Sequence, residues 1–133
     1  MLQSAYPWTG ENTGSSVSTN GIVSLIRGDT FELPIELNIG SPLAPQYITL
    51  GQDDVVELRV FYANQQWENP IMRKSATSDN VSTDEKSVIF KFNGEMAYFE
   101  PGEYYYQVKA FYYVEDILRV VTLVPRTQFN ILN

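Results

Sequence analysis

The sequence predicts an all-β domain, two antiparallel sheets packed as a sandwich of seven or eight strands after an N-terminal arm. Three observations predict it. Apolar residues alternate at period two in several separate stretches, the pattern of strands with one buried face. Turn-forming clusters such as Gly40-Ser41-Pro42 and Asn93-Gly94 separate those stretches at short intervals. Nowhere do apolar residues recur at three and four over a dozen positions, so no long helix is expected.

Residues 1–20 are rich in Ser, Thr, Gly and Asn, with only isolated large side chains such as Tyr6 and Trp8. Such a segment buries too little surface to offset its ordering entropy, which predicts a flexible arm over 1–20 and a folded domain over 21–133. Two readings stay open for the arm: a plain leader, or a tether that orders on a neighbouring subunit with Tyr6-Pro7-Trp8 as its anchor. From Gly21 the pattern turns to period two. Phe31, Leu33, Ile35, Leu37 and Ile39 alternate with Glu32, Pro34, Glu36 and Asn38, and Pro34 belongs on an edge, at a bulge or where the strand changes sheets. A short strand is expected at 46–50, followed by a turn at 51–54. In the central strand that comes next, Val56, Leu58, Val60 and Tyr62 alternate with Glu57, Arg59 and Phe61. Residues 71–75 suit a short strand, and the polar run 76–86 a loop or hairpin tip. Val88, Phe90 and Phe92 alternate up to Asn93-Gly94, a strong turn signal. Two long strands, 103–114 and 117–124, meet at the acidic turn Glu115-Asp116, and a last short strand carries Phe129 and Ile131.

With 133 residues the chain can bury a proper core without cross-links, and it has no cysteine. That favours a reducing compartment, or a particle assembled in one. The Met1-Leu2-Gln3-Ser4 start lacks the cationic and apolar regions of a secretory signal, and no stretch approaches the roughly 18 apolar residues of a membrane span. The expectation is a protein made in the cytoplasm with no membrane partner. Its net charge of −7 is spread along the chain, and the nine Lys and Arg form no patch, so phosphate backbones are repelled and no nucleic-acid partner is expected.

The chain also lacks histidine, which together with the missing cysteine removes the common general base, the thiolate nucleophile and the usual zinc ligands. Acidic pairs occur at Asp53-Asp54, Asp84-Glu85 and Glu115-Asp116, each where a turn is expected, and carboxylates in turns bond the local backbone. No catalytic, cofactor-binding or metal-ligating residue is assigned, and no enzyme is expected. Arg27-Gly28-Asp29 matches the integrin tripeptide, but it leads straight into a strand rather than capping an exposed loop. Asn80-Val81-Ser82 matches a glycosylation acceptor that needs a secretory route.

The run Phe99-Glu100-Pro101-Gly102-Glu103-Tyr104 places a tyrosine just after a Pro-Gly turn, the corner found in Ig-like sandwiches, where the hydroxyl bonds back across the turn. In the strand that follows, Tyr104, Tyr106, Val108, Ala110 and Tyr112 supply one face, while Tyr105, Phe111 and Tyr113 make the other unusually aromatic. Either both faces are covered within the fold or the second is an interface with protein or sugar. The candidate partner-binding residues are therefore Tyr6, Trp8, Trp67, Tyr105, Phe111 and Tyr113.

Arg27-Gly28-Asp29-Thr30-Phe31 opening an alternating strand, Pro101-Gly102-Glu103-Tyr104-Tyr105-Tyr106, and the closing Thr127-Gln128-Phe129-Asn130-Ile131 together resemble a known family. Residues 25–132 are similar to the Ig-like N-terminal domain of the phage baseplate upper protein. The resemblance implies a bacteriophage virion protein without catalytic activity or cofactor, made in the host bacterium and docked in several copies onto other virion proteins. Since no fibre or receptor-binding region follows Asn133 here, the expected role is an adaptor or decoration protein of a tail, baseplate, neck or capsid. A carbohydrate-binding module with Trp67 or the tyrosine-rich strand as stacking platform is the alternative.

Overall fold

The computed structural model describes residues 15–133. Period-two alternation decides which side of each strand is buried. In β3 (Thr30–Glu36), Phe31, Leu33 and Ile35 face inward while Glu32, Pro34 and Glu36 face solvent. β3 pairs antiparallel with β6 (Ser87–Asn93), where Val88, Phe90 and Phe92 do the same. These two make a small sheet. The larger sheet has six strands in the order β1-β2-β8-β7-β4-β5. Its members are β1 (Ser16–Val17), β2 (Val23–Ile26), β4 (Val55–Phe61), β5 (Met72–Ala76), β7 (Gly102–Val114) and β8 (Ile117–Leu132). The two sheets close on each other as the expected all-β sandwich.

Leu33, Phe90 and Phe92 from the small sheet meet Leu58, Val60, Tyr106, Val108 and Phe129 from the large one, all almost fully buried. Phe129 is the hub, with ring centroids of Phe92 and Tyr106 at 5.8 and 5.7 Å. Each such ring contributes on the order of 2–3 kcal/mol through burial. Two tyrosines of β7 place a hydroxyl inside this apolar layer, and each finds an acceptor. Tyr104 donates to the Glu100 carbonyl at 2.6 Å, the expected corner. Tyr106 donates to the Gly21 carbonyl, also at 2.6 Å, tying β7 to the approach of β2. Burial, then the nearby Tyr62 and Glu100, raise the pKa of Tyr104 above its ordinary value.

Several elements depart from expectation. β2 runs parallel to the end of β8, Val23 opposite Phe129 and Ile26 opposite Leu132, so the large sheet is mixed. These strands lie at opposite ends of the described chain, and no hairpin turn forces them antiparallel. Residues 117–132 form one strand rather than two. Pro125 is accommodated because the β7–β8 register slips between Tyr106 and Lys109, and a residue at a slip needs no ladder donor. Residues 46–50 make only an isolated bridge, Asn38 with Tyr47, while Ile48 and Leu50 plug the core from a loop.

The boundary at residue 20 also moves. β1 already pairs with β2, and buried Ser15 accepts from the Ile26 N–H and donates to Asp29, each at 2.9 Å. Tyr6 and Trp8, with the rest of the arm through residue 14, lie outside the described residues. Among the described residues no helix is long and apolar enough to cross a membrane.

Candidate functional site

β7 and β8 are joined by Glu115-Asp116 alone, with φ of 52° and 68° at the two residues. Positive φ at both positions marks a type I′ turn, whose twist matches that of the strands it joins. β4 accompanies β7 only as far as Val55 opposite Phe111. Beyond that point the hairpin projects as a two-stranded ribbon. Cross-strand pairing puts Phe111 with Val120 and Tyr113 with Leu118 on the outer face of the sheet, and Tyr112 with Arg119 and Val114 with Ile117 on the other. Tyr113, Val114, Ile117, Leu118 and Val120 are 40–58% exposed, a dense apolar cluster at one end of the molecule. The ribbon is anchored at its base: the buried carboxylate of Asp54 accepts from the Tyr113 N–H at 2.9 Å and the Gly51 N–H at 2.7 Å.

Further back on the same outer face, the aromatics are interleaved with cations. The Arg59 guanidinium lies 4.3 Å from the Trp67 ring centre, donating to the Trp67 carbonyl at 2.5 Å and to Glu57 at 2.6 Å. The Lys109 ammonium is 4.9 Å from the same ring, and Phe111 is 6.4 Å away. Arg126 stands 5.0 Å from Phe61 and 4.9 Å from Tyr105 while donating to the carbonyls of Tyr62, Ala63 and Gln65. Tyr105 donates to Glu103, and that bond, then desolvation, raises its pKa above the ordinary value. An open cleft of about 650 Å³ runs between Gln65, Trp67, Gln107, Lys109 and Arg126.

The aromatic face of β7 is thus divided. Tyr105 and Phe111 are half-buried under Arg126 and beside Trp67, whereas Tyr113 is open to solvent. Trp67, Phe111 and Tyr113 occupy one stretch of surface, and Tyr105 sits at its other end. Val114, Ile117, Leu118 and Val120 are the members that sequence reasoning did not single out. Their signal was present in Ile117-Leu118-Arg119-Val120-Val121, a strand apolar on both faces, which normally means cover on both sides.

The acidic pairs fall in turns. Asp54 bonds the backbone as above, Asp84 accepts from Ser82 and the Lys86 N–H, and Glu115-Asp116 is the hairpin turn. The bond from Ser82, then that from Lys86, holds the Asp84 carboxyl below its ordinary pKa. In Arg27-Gly28-Asp29 both charged side chains are engaged within the fold, Arg27 with the Ala97 carbonyl at 3.1 Å and Asp29 with Ser15. Comparisons of the chain with models of known families, with curated proteins and with solved structures return no match.

Proposed function

We propose that the chain is a non-enzymatic structural component of a bacteriophage virion, an adaptor or decoration protein that works by docking onto other virion proteins. The observation that carries the docking half is the ribbon end, where Tyr113, Leu118 and Val120 stand exposed together on one face. An apolar cluster on a chain of net charge −7 costs free energy in water and marks a surface that an assembly covers. Its anchorage through Asp54 supports the same reading, because a preorganised patch loses less entropy on binding. The virion half rests on the resemblance of the three quoted motifs to the phage baseplate family. The lack of histidine and cysteine supports a role without chemistry.

The alternative, a carbohydrate-binding module, draws on the cleft beside Trp67. It is the weaker reading, since Arg59 and Lys109 already lie over that ring and a sugar must displace a cation to stack. Mass spectrometry of purified phage particles tests the proposal: the protein should be present at a fixed multiple of the major structural proteins. Tyr113→Lys/Leu118→Lys should melt like the parent yet fail to incorporate. Absence from particles, or a glycan-array signal lost in Trp67→Ala and kept in the double variant, would refute it.

A further inference from the structure

Free strand edges are templates for pairing, and most edges of this molecule are guarded. β1 has two residues and β5 five, the latter with Arg73 and Lys74. β3 presents Glu32, Pro34 and Glu36 to solvent. β8 is different. On the side away from β7 it is paired only at Phe129–Leu132, by β2, so among the described residues 117–128 carry no strand there. Within that length, Ile117 to Thr122 keeps unbroken register with β7, and the slips begin only beyond it. The unbroken stretch reads Ile-Leu-Arg-Val-Val-Thr, strongly strand-forming and without proline.

We propose that this edge pairs with the same edge of a second copy, β8 antiparallel to β8 about a two-fold axis at Val120, joining two six-stranded sheets into one. In that register Val120 faces its own counterpart, Leu118 faces Thr122, and Arg119 faces Val121. Antiparallel partners project to the same face, so Tyr113, Leu118 and Val120 of both copies merge into one apolar surface. Charge points to the same partner. Two chains of −7 repel, yet residues 117–132 hold two arginines and no acidic side chain, so copies approach along this edge with little local repulsion. The remaining acids nearby, Glu115-Asp116, fall beside residues 125 and 124 of the second copy, past its unbroken stretch and away from its own acids. Arg119 lies across from an aliphatic side chain rather than from its own copy.

A ladder this short falls below the roughly 800 Å² per partner of a standard interface, so the dimer is reversible and depends on concentration. Pairing needs only the edge and stands independently of the virion reading. Sedimentation of the full chain from dilute to concentrated solution should show mass rising to two chains and no further. Amide hydrogen exchange within 117–122 should slow in parallel, a signature of strand pairing that packing between faces does not give. Val120→Lys, at a 53% exposed position, brings two ammonium groups together at the axis and should remain a monomer with an unchanged melting temperature. Tyr98→Lys, 91% exposed and off this edge, should dimerise like the parent. A chain that is monomeric throughout overturns the inference, as do growth into longer polymers and a dimer indifferent to Val120→Lys. Protection of 117–122 already present at high dilution would mean that the edge is covered within one chain, and overturns it equally. A monomer that still incorporates into particles would sink the pairing alone and leave the docking proposal standing.

Discussion

Replacing Tyr104 by phenylalanine removes one oxygen and keeps the ring, which makes it a clean probe of the corner between the Pro101-Gly102 turn and β7. The ring is 4% exposed and packs on Tyr62 and Phe99, with centroids 5.5 and 6.3 Å away. Those contacts survive the change. What is lost is the 2.6 Å bond to the Glu100 carbonyl. A neutral bond of this kind is worth about 0.5–1.5 kcal/mol net. Glu100 is exposed, so water can satisfy its carbonyl and the penalty for an orphaned acceptor stays small. The expected loss is about 1 kcal/mol, or roughly 3–5 °C in Tm for a domain of this size. Urea melts of both proteins, fitted with a common m-value, measure it. A loss under about 0.3 kcal/mol would refute the idea that the corner bond stabilises the fold, and one above the 0.5–1.5 kcal/mol range would show that the packing rearranged.

The same substitution has a pH signature. The raised folded pKa of Tyr104 contributes stability that is present below the ordinary value of 10.0 and is lost as pH rises through the folded value, so Tyr104→Phe should soften the alkaline fall in Tm. Glu95 works in the opposite direction: burial opposes its ionisation, but Lys74 and the Asn93 N–H outweigh that and lower its pKa. Its contribution is present above the ordinary 4.5 and lost as pH falls through the folded value, and acid titration of Glu95→Gln should show a shallower decline. Glu115→Asn/Asp116→Gly supplies residues suited to positive φ and should raise stability by about 1 kcal/mol in the same urea assay. Tyr105→Ala removes a half-buried ring beside Arg126 and should cost about 1 kcal/mol. A loss of roughly 3–5 kcal/mol would instead mark that position as core.

Alternation made β3, β4, β6 and β7 legible, since each buries every second residue against the opposite sheet. Phe61 at the end of β4 is the exception, buried on the outer face beneath Arg126. The Tyr104 corner followed from its local spacing. Less could be read where long-range contacts decide the outcome. Ser16-Val17 has no pattern of its own and is a strand only because β2 offers an edge. The sequence predicts a strand ending at Val124, just before Pro125, and the two register slips opposite Tyr106–Lys109 are what allow β8 to continue. The candidate surface divides along the same line. The aromatics of β7 stood out in the sequence. That Trp67 and Arg126 would cover Phe111 and Tyr105 while leaving Tyr113 bare depends on loop 62–67 folding back over the sheet, which no local pattern encodes.

The parallel pairing of β2 with β8 has a mechanical consequence. Val23 is level with Phe129 and Ile26 with Leu132, so the chain arrives at one end of this four-residue ladder and leaves at the other. Tension applied between the two sides of the domain pulls the strands along their length, loading the whole ladder in shear instead of opening it one bond at a time. Such a load reaches the ladder once the two-residue β1 has peeled from β2, while the β7–β8 hairpin tip lies outside the line of force.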